Sequence, residues 1–410
     1  MLDLLKVDSL QEAIEKLYNQ CISNSFVIDT EEIDVKDSYG RVLAEDIISN
    51  VDVPEFDRSA VDGYAVLAKD TEGATESIPT FLKVIGESKM GEVCELSLNS
   101  GECVYVPTGA MLPKNANACV MVEYVENITD DKIAVYNSVQ EGKNVVKIAD
   151  DISKSDVVLK KGKIISPADM GFLSSVAVSK IKVYKKLNIN IISTGDELVN
   201  NDKDYKLGKI RDVNTNLLIG LSQKFNLNVI NNYLLKDDEQ LLEDTIIKAM
   251  KESDIVVVSG GSSKGKKDAS SIVIDRLCSS KVLTHGIAIK PGKPTITAYD
   301  NNTNTIVVGL PGHPVASAIL FRFVVVDIIY KIMNVDMNYY TCEGTITENI
   351  AASPGRMTIQ LVNVDKDYNV KPIYGKSGLI RTLSQADGFI KLDINQEGLN
   401  KGDKVNVYYI

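Results

Sequence analysis

From Leu187 onward, β-branched runs alternate with segments of helical period, and that alternation limits the fold more than any other feature of the chain. NINIIS, NVINNYLL, DIVVVSGG, PTITAY and NTIVVGL read as strands. NTNLLIGLSQKF, DDEQLLEDTIIKAM, SSIVIDRL and PVASAILFRFVVVDIIYKI read as helices. In the first helix Leu217, Leu218, Leu221 and Phe225 face inward, and in the second Leu242, Ile246 and Ala249 form one stripe. Repeated strand–helix units predict a largely parallel sheet with helices on both faces. A ligand of such a sheet binds outside the carboxyl ends of its strands.

The rest of the chain has a different texture. Ser9 and Glu12 form a capping box for a helix over 9–20 that places Leu10, Ile14 and Leu17 on one face. Residues 78–140 give short runs (FLKVIGE, ECVYVPTG, CVMVEYV, KIAVYN) without helical period, as in a small β-rich module inserted in the chain. SPADMGFLSSV predicts a helix after Ser166-Pro167, and residues 340–410 predict a small β-barrel or sandwich. The expected organisation is α/β plus β modules. It comprises a mixed region over 1–48 and 141–182, an inserted β-rich region over 49–140, a three-layer α/β/α domain over 183–335 and a C-terminal β-barrel over 338–410.

At 410 residues with 44% apolar side chains, the chain can supply several ordinary cores. A formal net charge of −11 argues against non-specific nucleic-acid or anionic-membrane binding, so an anion site must be a local basic cluster. Six cysteines without a C-x-x-C pair and only two histidines argue against a zinc site and suit a reducing cytoplasm. The acidic, amphipathic N-terminus is no signal peptide, and no apolar run reaches the roughly 18 residues of a membrane span.

Four polar loops follow apolar runs directly: STGDE over 193–197, SGGSSKGKKD over 259–268, KPGKP over 290–294 and GLPGHP over 309–314. Asp237-Asp238 stands at the end of a fifth run. In the second loop, which also holds Ser262 and Ser263, Gly260-Gly261 let the backbone approach a ligand, free amides at the helix start attract anions, and three lysines add charge. Asp268 among such donors suggests a metal-bridged phosphate or an acid–base role. Asp196, Glu197, Asp237 and Asp268 offer hard oxygens, which favour Mg²⁺, while Lys290 and Lys293 offer cations. Each feature has a plainer reading. Gly260-Gly261 can be a turn, Asp237-Asp238 can be helix caps, Thr194 to Glu197 can cap a turn, and the two lysines can be solvated charge. In Phe56-Asp-Arg-Ser-Ala-Val-Asp-Gly-Tyr-Ala65, Asp62-Gly63 is a turn signal that would hold the carboxylate at a tip. SPGR over 353–356 and GKSG over 375–378 are weak patterns for anion-contacting turns.

FDRSAVDGYAV, STGDEL, GGSSKGKKD, AIKPGKPT and GLPGHPVAS together resemble the MoeA-type molybdopterin molybdenumtransferases, the insertases that include the C-terminal domain of gephyrin. The resemblance runs from about residue 5 to the C-terminus and implies an elongated subunit of four parts that forms a homodimer, with the cleft near the interface. It implies that adenylylated molybdopterin and molybdate are the substrates, that the phosphoanhydride is cleaved and AMP released, and that molybdenum stays on the dithiolene. Asp62, Thr108, Asp151, Glu197 and Asp268 fall on the family's catalytic positions. Asp237 and Asp268 match the carboxylates that hold Mg²⁺ against the adenylate phosphates, and Gly260, Gly261 and Ser263 lie in the glycine loop. Lys290, Lys293, Arg356 and Ser377 match positions around the molybdate pocket, Pro311 and Pro314 shape its wall, and Asn214 matches the asparagine of the nucleotide-side loop. The family's molybdopterin adenylyltransferase and molybdoenzyme apo-proteins are the implied partners. Two positions depart from the pattern. His313 replaces an asparagine between the prolines, and Ala316 replaces a serine, with Ser317 one step later. A molybdenum insertase, a non-catalytic pterin-binding scaffold and a phosphoanhydride hydrolase are the readings to separate. Cys278, within a helical segment, reads as core.

Overall fold

The computed structural model describes residues 7–200, 204–260, 269–335 and 341–409. Its central sheet has the strand order Asn228–Leu235, Asn188–Thr194, Ile255–Gly260, Thr305–Leu310, Ile296–Asp300, Val282–His285. The first four strands are parallel, Ile296–Asp300 runs against them, and Val282–His285, antiparallel to Ile296–Asp300, runs with the first four. Alternate residues on these strands enter two separate cores. Ile189, Ile191, Ile255, Val257, Ile306 and Val308 face one side, with Leu218 and Leu221 of the helix Asn214–Lys224. Ile192, Val256, Val258 and Val307 face the other, with Leu242, Ile246 and Ala249 of the helix Glu239–Glu252 and Val273 and Ile274 of Ala269–Leu277. Both faces are covered, so the strands read as unbroken apolar runs instead of alternating ones. Each fully buried Val or Ile contributes about 1.5–3 kcal/mol of transfer free energy.

Register aligns the strand ends. Thr194 lies opposite both Leu235 and Gly260, Ser259 opposite Leu310, and the start of the antiparallel strand, Ile296, opposite Gly309. The long helix expected over 314–332 runs as Pro314–Leu320, a π-helical stretch Phe321–Val326, and Asp327–Ile332. The wider turn brings residues five apart onto one face, where Arg322 pairs with Asp327.

Ser9 caps the helix Leu10–Ser23 with the capping box complete, and Ala13, Leu17 and Cys21 enter the larger central core. The segments on either side of the inserted sheet pair with each other: Thr30–Asp34 with Lys180–Tyr184, Ile47–Ile48 with Val157–Leu159, and Arg58–Ser59 with Val145–Val146. Between them lies a six-stranded sheet in the order Ala118–Met121, Gly63–Val66, Glu102–Val106, Thr80–Glu87, Lys132–Val135, Val125–Thr129. At the C-terminus, Met357–Val364, Asn369–Pro372, Thr341–Ile346, Lys404–Tyr409 and Gly388–Leu392 pair in turn, and the last pairs back with the first, closing a five-stranded barrel. Closure removes the free edges that an open sheet would expose. No helix among the described residues is long and apolar enough to cross a membrane.

Candidate active site

The parallel strands deliver their loops to one edge. Thr194 ends its strand with Oγ1 donating to Asp237 Oδ1 at 2.7 Å, and the Asp237 N–H donates to Asp196 Oδ1 at 3.3 Å. The adjacent Asp238 has the other role open to an Asp-Asp pair: its Oδ1 caps the helix Glu239–Glu252 by accepting from the Leu241 N–H at 2.8 Å. One aspartate is thus a cap and the other is held toward the strand ends. Glu197 folds over Gly195, where an added Cβ would lie 2.9 Å from Glu197 Oε1.

Gly260 ends the next strand at φ +109°, and a Cβ there would sit 2.2 Å from the Thr194 carbonyl. Only glycine lets these two strand ends lie side by side. Asn214, at the start of its helix and 8% exposed, fastens the next two ends together. Its Nδ2 donates to Ser259 Oγ at 2.7 Å and to the Gly312 carbonyl at 2.9 Å, while its buried Oδ1 has no hydrogen-bond partner among the described residues. Such an acceptor fits a ligand N–H or O–H, because leaving it unmet costs about 1–3 kcal/mol. Gly261, Ser263 and Asp268 lie outside the described residues.

The KPGKP loop reaches this edge by a route the sequence reading did not anticipate. Its preceding strand, Ile289–Lys290, is not part of the central sheet but pairs in parallel with Met357–Val364 of the barrel. The loop then enters the central sheet at the amino end of Ile296–Asp300, which antiparallel pairing sets beside the carboxyl end of Thr305–Leu310. Lys290 Nζ donates to Ser353 Oγ at 2.7 Å, in the turn that carries the exposed Arg356, whose N–H donates to the Ser353 carbonyl at 3.2 Å. Lys293 is exposed, and its carbonyl accepts from the N–H groups of Ile287 and Thr295, each at 2.9 Å. Pro311 is buried, Pro314 opens the helix Pro314–Leu320, and His313 Nδ1 lies 2.8 Å from Ser377 Oγ. Ser317 is fully buried inside that helix, and its Oγ has no partner among the described residues.

Asp62 and Thr108 form a separate pair. Asp62 Oδ1 accepts from the Thr108 N–H at 2.7 Å and from Thr108 Oγ1 at 3.0 Å. The backbone donor, then the hydroxyl, holds this exposed carboxyl below the usual carboxylate range. Asp62-Gly63 is not a turn tip, contrary to the sequence expectation. Gly63 opens the strand Gly63–Val66, and a Cβ there would lie 1.9 Å from the Val120 carbonyl, so close strand approach is what requires glycine. Asp151 is exposed, with its N–H donating to the Val53 carbonyl at 3.0 Å. No hydrogen bond or ion pair among the described residues joins Asp62, Thr108 or Asp151 to the strand-end cluster.

The strand-end edge therefore combines acidic groups (Asp196, Glu197, Asp237) with an inward amide (Asn214), and the KPGKP loop links it to a barrel turn where exposed Lys290 and Arg356 lie. That mixture suits a ligand with anionic and neutral polar parts. Ser259 and Ser353 stand in the sequence only as the first residues of candidate loops, with no contact of their own assigned. The available signal for Ser259 was a hydroxyl closing an otherwise apolar strand, and for Ser353 its place in the SPGR turn. Cys278 is buried against the second core, and burial pushes its thiol up to about 12, which makes it a packing group.

The chain is similar to known proteins along nearly all its length. Residues 8–177 match the MoeA N-terminal region (domain I and II), 190–331 match a domain described as a probable molybdopterin binding domain, and 343–410 match the MoeA C-terminal region (domain IV). A molybdopterin biosynthesis protein of Methanocaldococcus jannaschii is 35% identical over 100% of this chain and 98% of its own length. The molybdopterin molybdenumtransferase of Haemophilus influenzae is 31% identical over 97% of this chain and 98% of its own. The crystal structure of a MoeA molybdopterin biosynthesis protein from Pyrococcus horikoshii superposes with a TM-score of 0.83 at 31% identity, over 99% of this chain and 100% of that one.

Proposed function

Because this chain belongs to the MoeA family, we propose that it acts in molybdenum cofactor biosynthesis as a molybdopterin molybdenumtransferase. In this reading it takes molybdenum from molybdate onto adenylylated molybdopterin, the phosphoanhydride is cleaved and AMP leaves. The observation that carries the reading is the division of labour at Asp237-Asp238. Asp238 caps the helix, while Asp237 is turned to Thr194 at the edge where Gly260 ends its strand and the KPGKP loop arrives.

Two anions bound side by side need two sets of donors, and this edge supplies them from different parts of the fold. Glycine-loop amides and Asn214 serve the pterin phosphate and nucleotide side. Lys290, Lys293, Arg356 and Ser377 serve the tetrahedral oxyanion, where paired cations and hydroxyls offset a double negative charge. Holding both in one cleft gives the transfer its proximity. Magnesium suits the donor chemistry, since Asp196, Glu197 and Asp237 offer only hard oxygens. Among the described residues no three such groups converge, and the matching second carboxylate is Asp268. When held by Asp237 and Asp268, the ion would neutralise charge on the phosphoanhydride. Among the described residues the Asp62–Thr108 pair and Asp151 have no bond to this edge, and in the homodimer that the family implies they would face a partner's cleft.

AMP release from adenylylated molybdopterin, measured with and without molybdate, tests the reading. Release that depends on molybdate and activates a molybdenum-free apo-enzyme is expected. Release indifferent to molybdate would make the chain a hydrolase, and tight pterin binding without release would make it a scaffold.

A further inference from the structure

The imidazole of His313 stands outside the groups assigned above, yet it is the side chain that ties the helix start to the barrel. Its Nδ1 lies 2.8 Å from Ser377 Oγ, and the Ser377 carbonyl accepts from the Val315 N–H at 3.1 Å. The 375–378 turn is therefore fastened to the GLPGHP loop at two points. The backbone of His313 is fixed in turn, because its carbonyl accepts from the Ser317 N–H at 2.9 Å. Gly378 lies against the ring, where an added Cβ would stand 3.8 Å from His313 Cδ2.

A hydroxyl has one hydrogen to give. If Ser377 spends it on an unprotonated Nδ1, its oxygen presents only lone pairs to an approaching anion. If Nδ1 carries the hydrogen and donates to Ser377, the serine hydrogen is released to point outward as a donor. We propose that His313 is a positioning residue of the oxyanion pocket: through Nδ1 it turns the Ser377 hydroxyl into a donor toward bound molybdate. The inference rests on the reading that Ser377 contacts the oxyanion. Asparagine carries its amide nitrogen on Cγ, as histidine carries Nδ1, so His313→Asn can present an N–H to the same hydroxyl, whereas His313→Ala cannot.

The test uses full-length protein and two readouts: the molybdate KM of AMP release, and molybdate binding by equilibrium dialysis with the pterin substrate omitted. Losing a hydrogen bond to a charged ligand predicts about a tenfold rise in KM and in the dialysis constant for His313→Ala. Its kcat should stay within about twofold of wild type, since the imidazole touches no reacting atom. His313→Asn should return KM to within about twofold of wild type. In a Ser377→Ala background, His313→Ala should add nothing, because the two groups act through one hydroxyl. Additive effects, an unrescued His313→Asn, or a loss confined to kcat would overturn the assignment and leave a structural role. If dialysis follows this pattern while AMP release ignores molybdate, the positioning role stands and the insertase reading falls. If release depends on molybdate but KM ignores His313, the reverse holds.

Discussion

Two regions of this molecule build the same small device, an aspartate whose Oδ1 accepts a threonine hydroxyl, on opposite strand topologies. In the inserted sheet Thr108 follows the strand Glu102–Val106 and Asp62 precedes Gly63–Val66, its antiparallel neighbour. In the central sheet Thr194 ends one strand and Asp237 follows its parallel neighbour. The Asp62 carboxylate takes the Thr108 backbone N–H as well and is held anionic by it. Asp237 gives its own N–H to Asp196 and so joins a chain of carboxylates. Parallel pairing accounts for this contrast. Carboxyl ends aligned by register collect loops from several crossovers, whereas an antiparallel end holds one pair and awaits something brought to it.

The sharpest way to break the comparison is to remove the aspartates. Asp237→Ala should lower kcat/KM for AMP release at least about 100-fold, the scale of losing a preorganised charged group at a reacting phosphate. Asp238→Ala should cost about 1 kcal/mol of stability in urea unfolding, as lost caps do, and leave the rate nearly unchanged. Equal rate losses would dissolve the distinction between cap and site.

The next largest effects belong to the glycines that let the strands approach. Gly63→Ala and Gly260→Ala each drive a Cβ within about 2 Å of a carbonyl oxygen, at Val120 and Thr194 respectively. Each should destabilise by about 2 kcal/mol or more, read from urea midpoints. Gly260→Ala should also lose activity in the protein that remains folded, because it parts two strand ends of the site. Unchanged specific activity in that folded fraction would show that the strand ends need not touch.

The threonines give smaller, graded effects. Thr194→Val removes the hydroxyl that Asp237 accepts and should lower kcat/KM about tenfold, one charge-assisted hydrogen bond. Thr108→Val leaves Asp62 its backbone donor, so a loss of only about threefold is expected. The pH profile carries the sign. A carboxyl held below its ordinary range stays ionised until pH falls through that lowered value. Removing a donor raises the value, so the acid limb of the Thr108→Val profile should shift to higher pH. A limb that stays put would mean that Asp62 ionisation does not govern the rate.

Much of this was legible in advance where a local rule was enough. The β-branched runs, the Ser9 capping box, the helix after Ser166-Pro167 and the helical stripe of Leu242, Ile246 and Ala249 all appear where the local pattern put them. The Lys290 loop departs from its expected place because apolar Ile287 and Ile289 look like any strand leading to a loop. Nothing local says that Ile289–Lys290 will pair with the barrel. Asp62-Gly63 misled for a similar reason, since a turn and a crowded strand both select glycine.

Local pattern was enough for most elements of the central sheet, though not for its edge strand Val282–His285, and for the order of the polar loops and the family, because hydrophobic period and motif order are properties of neighbouring residues. Only the tertiary structure decided which aspartate of Asp237-Asp238 meets Thr194, that Asn214 ties Ser259 to Gly312, and that His313 reaches Ser377. Those contacts join residues between 43 and 98 positions apart. They depend on strand register and on the direction of each Cβ across the packed layers, which short-range periodicity does not specify.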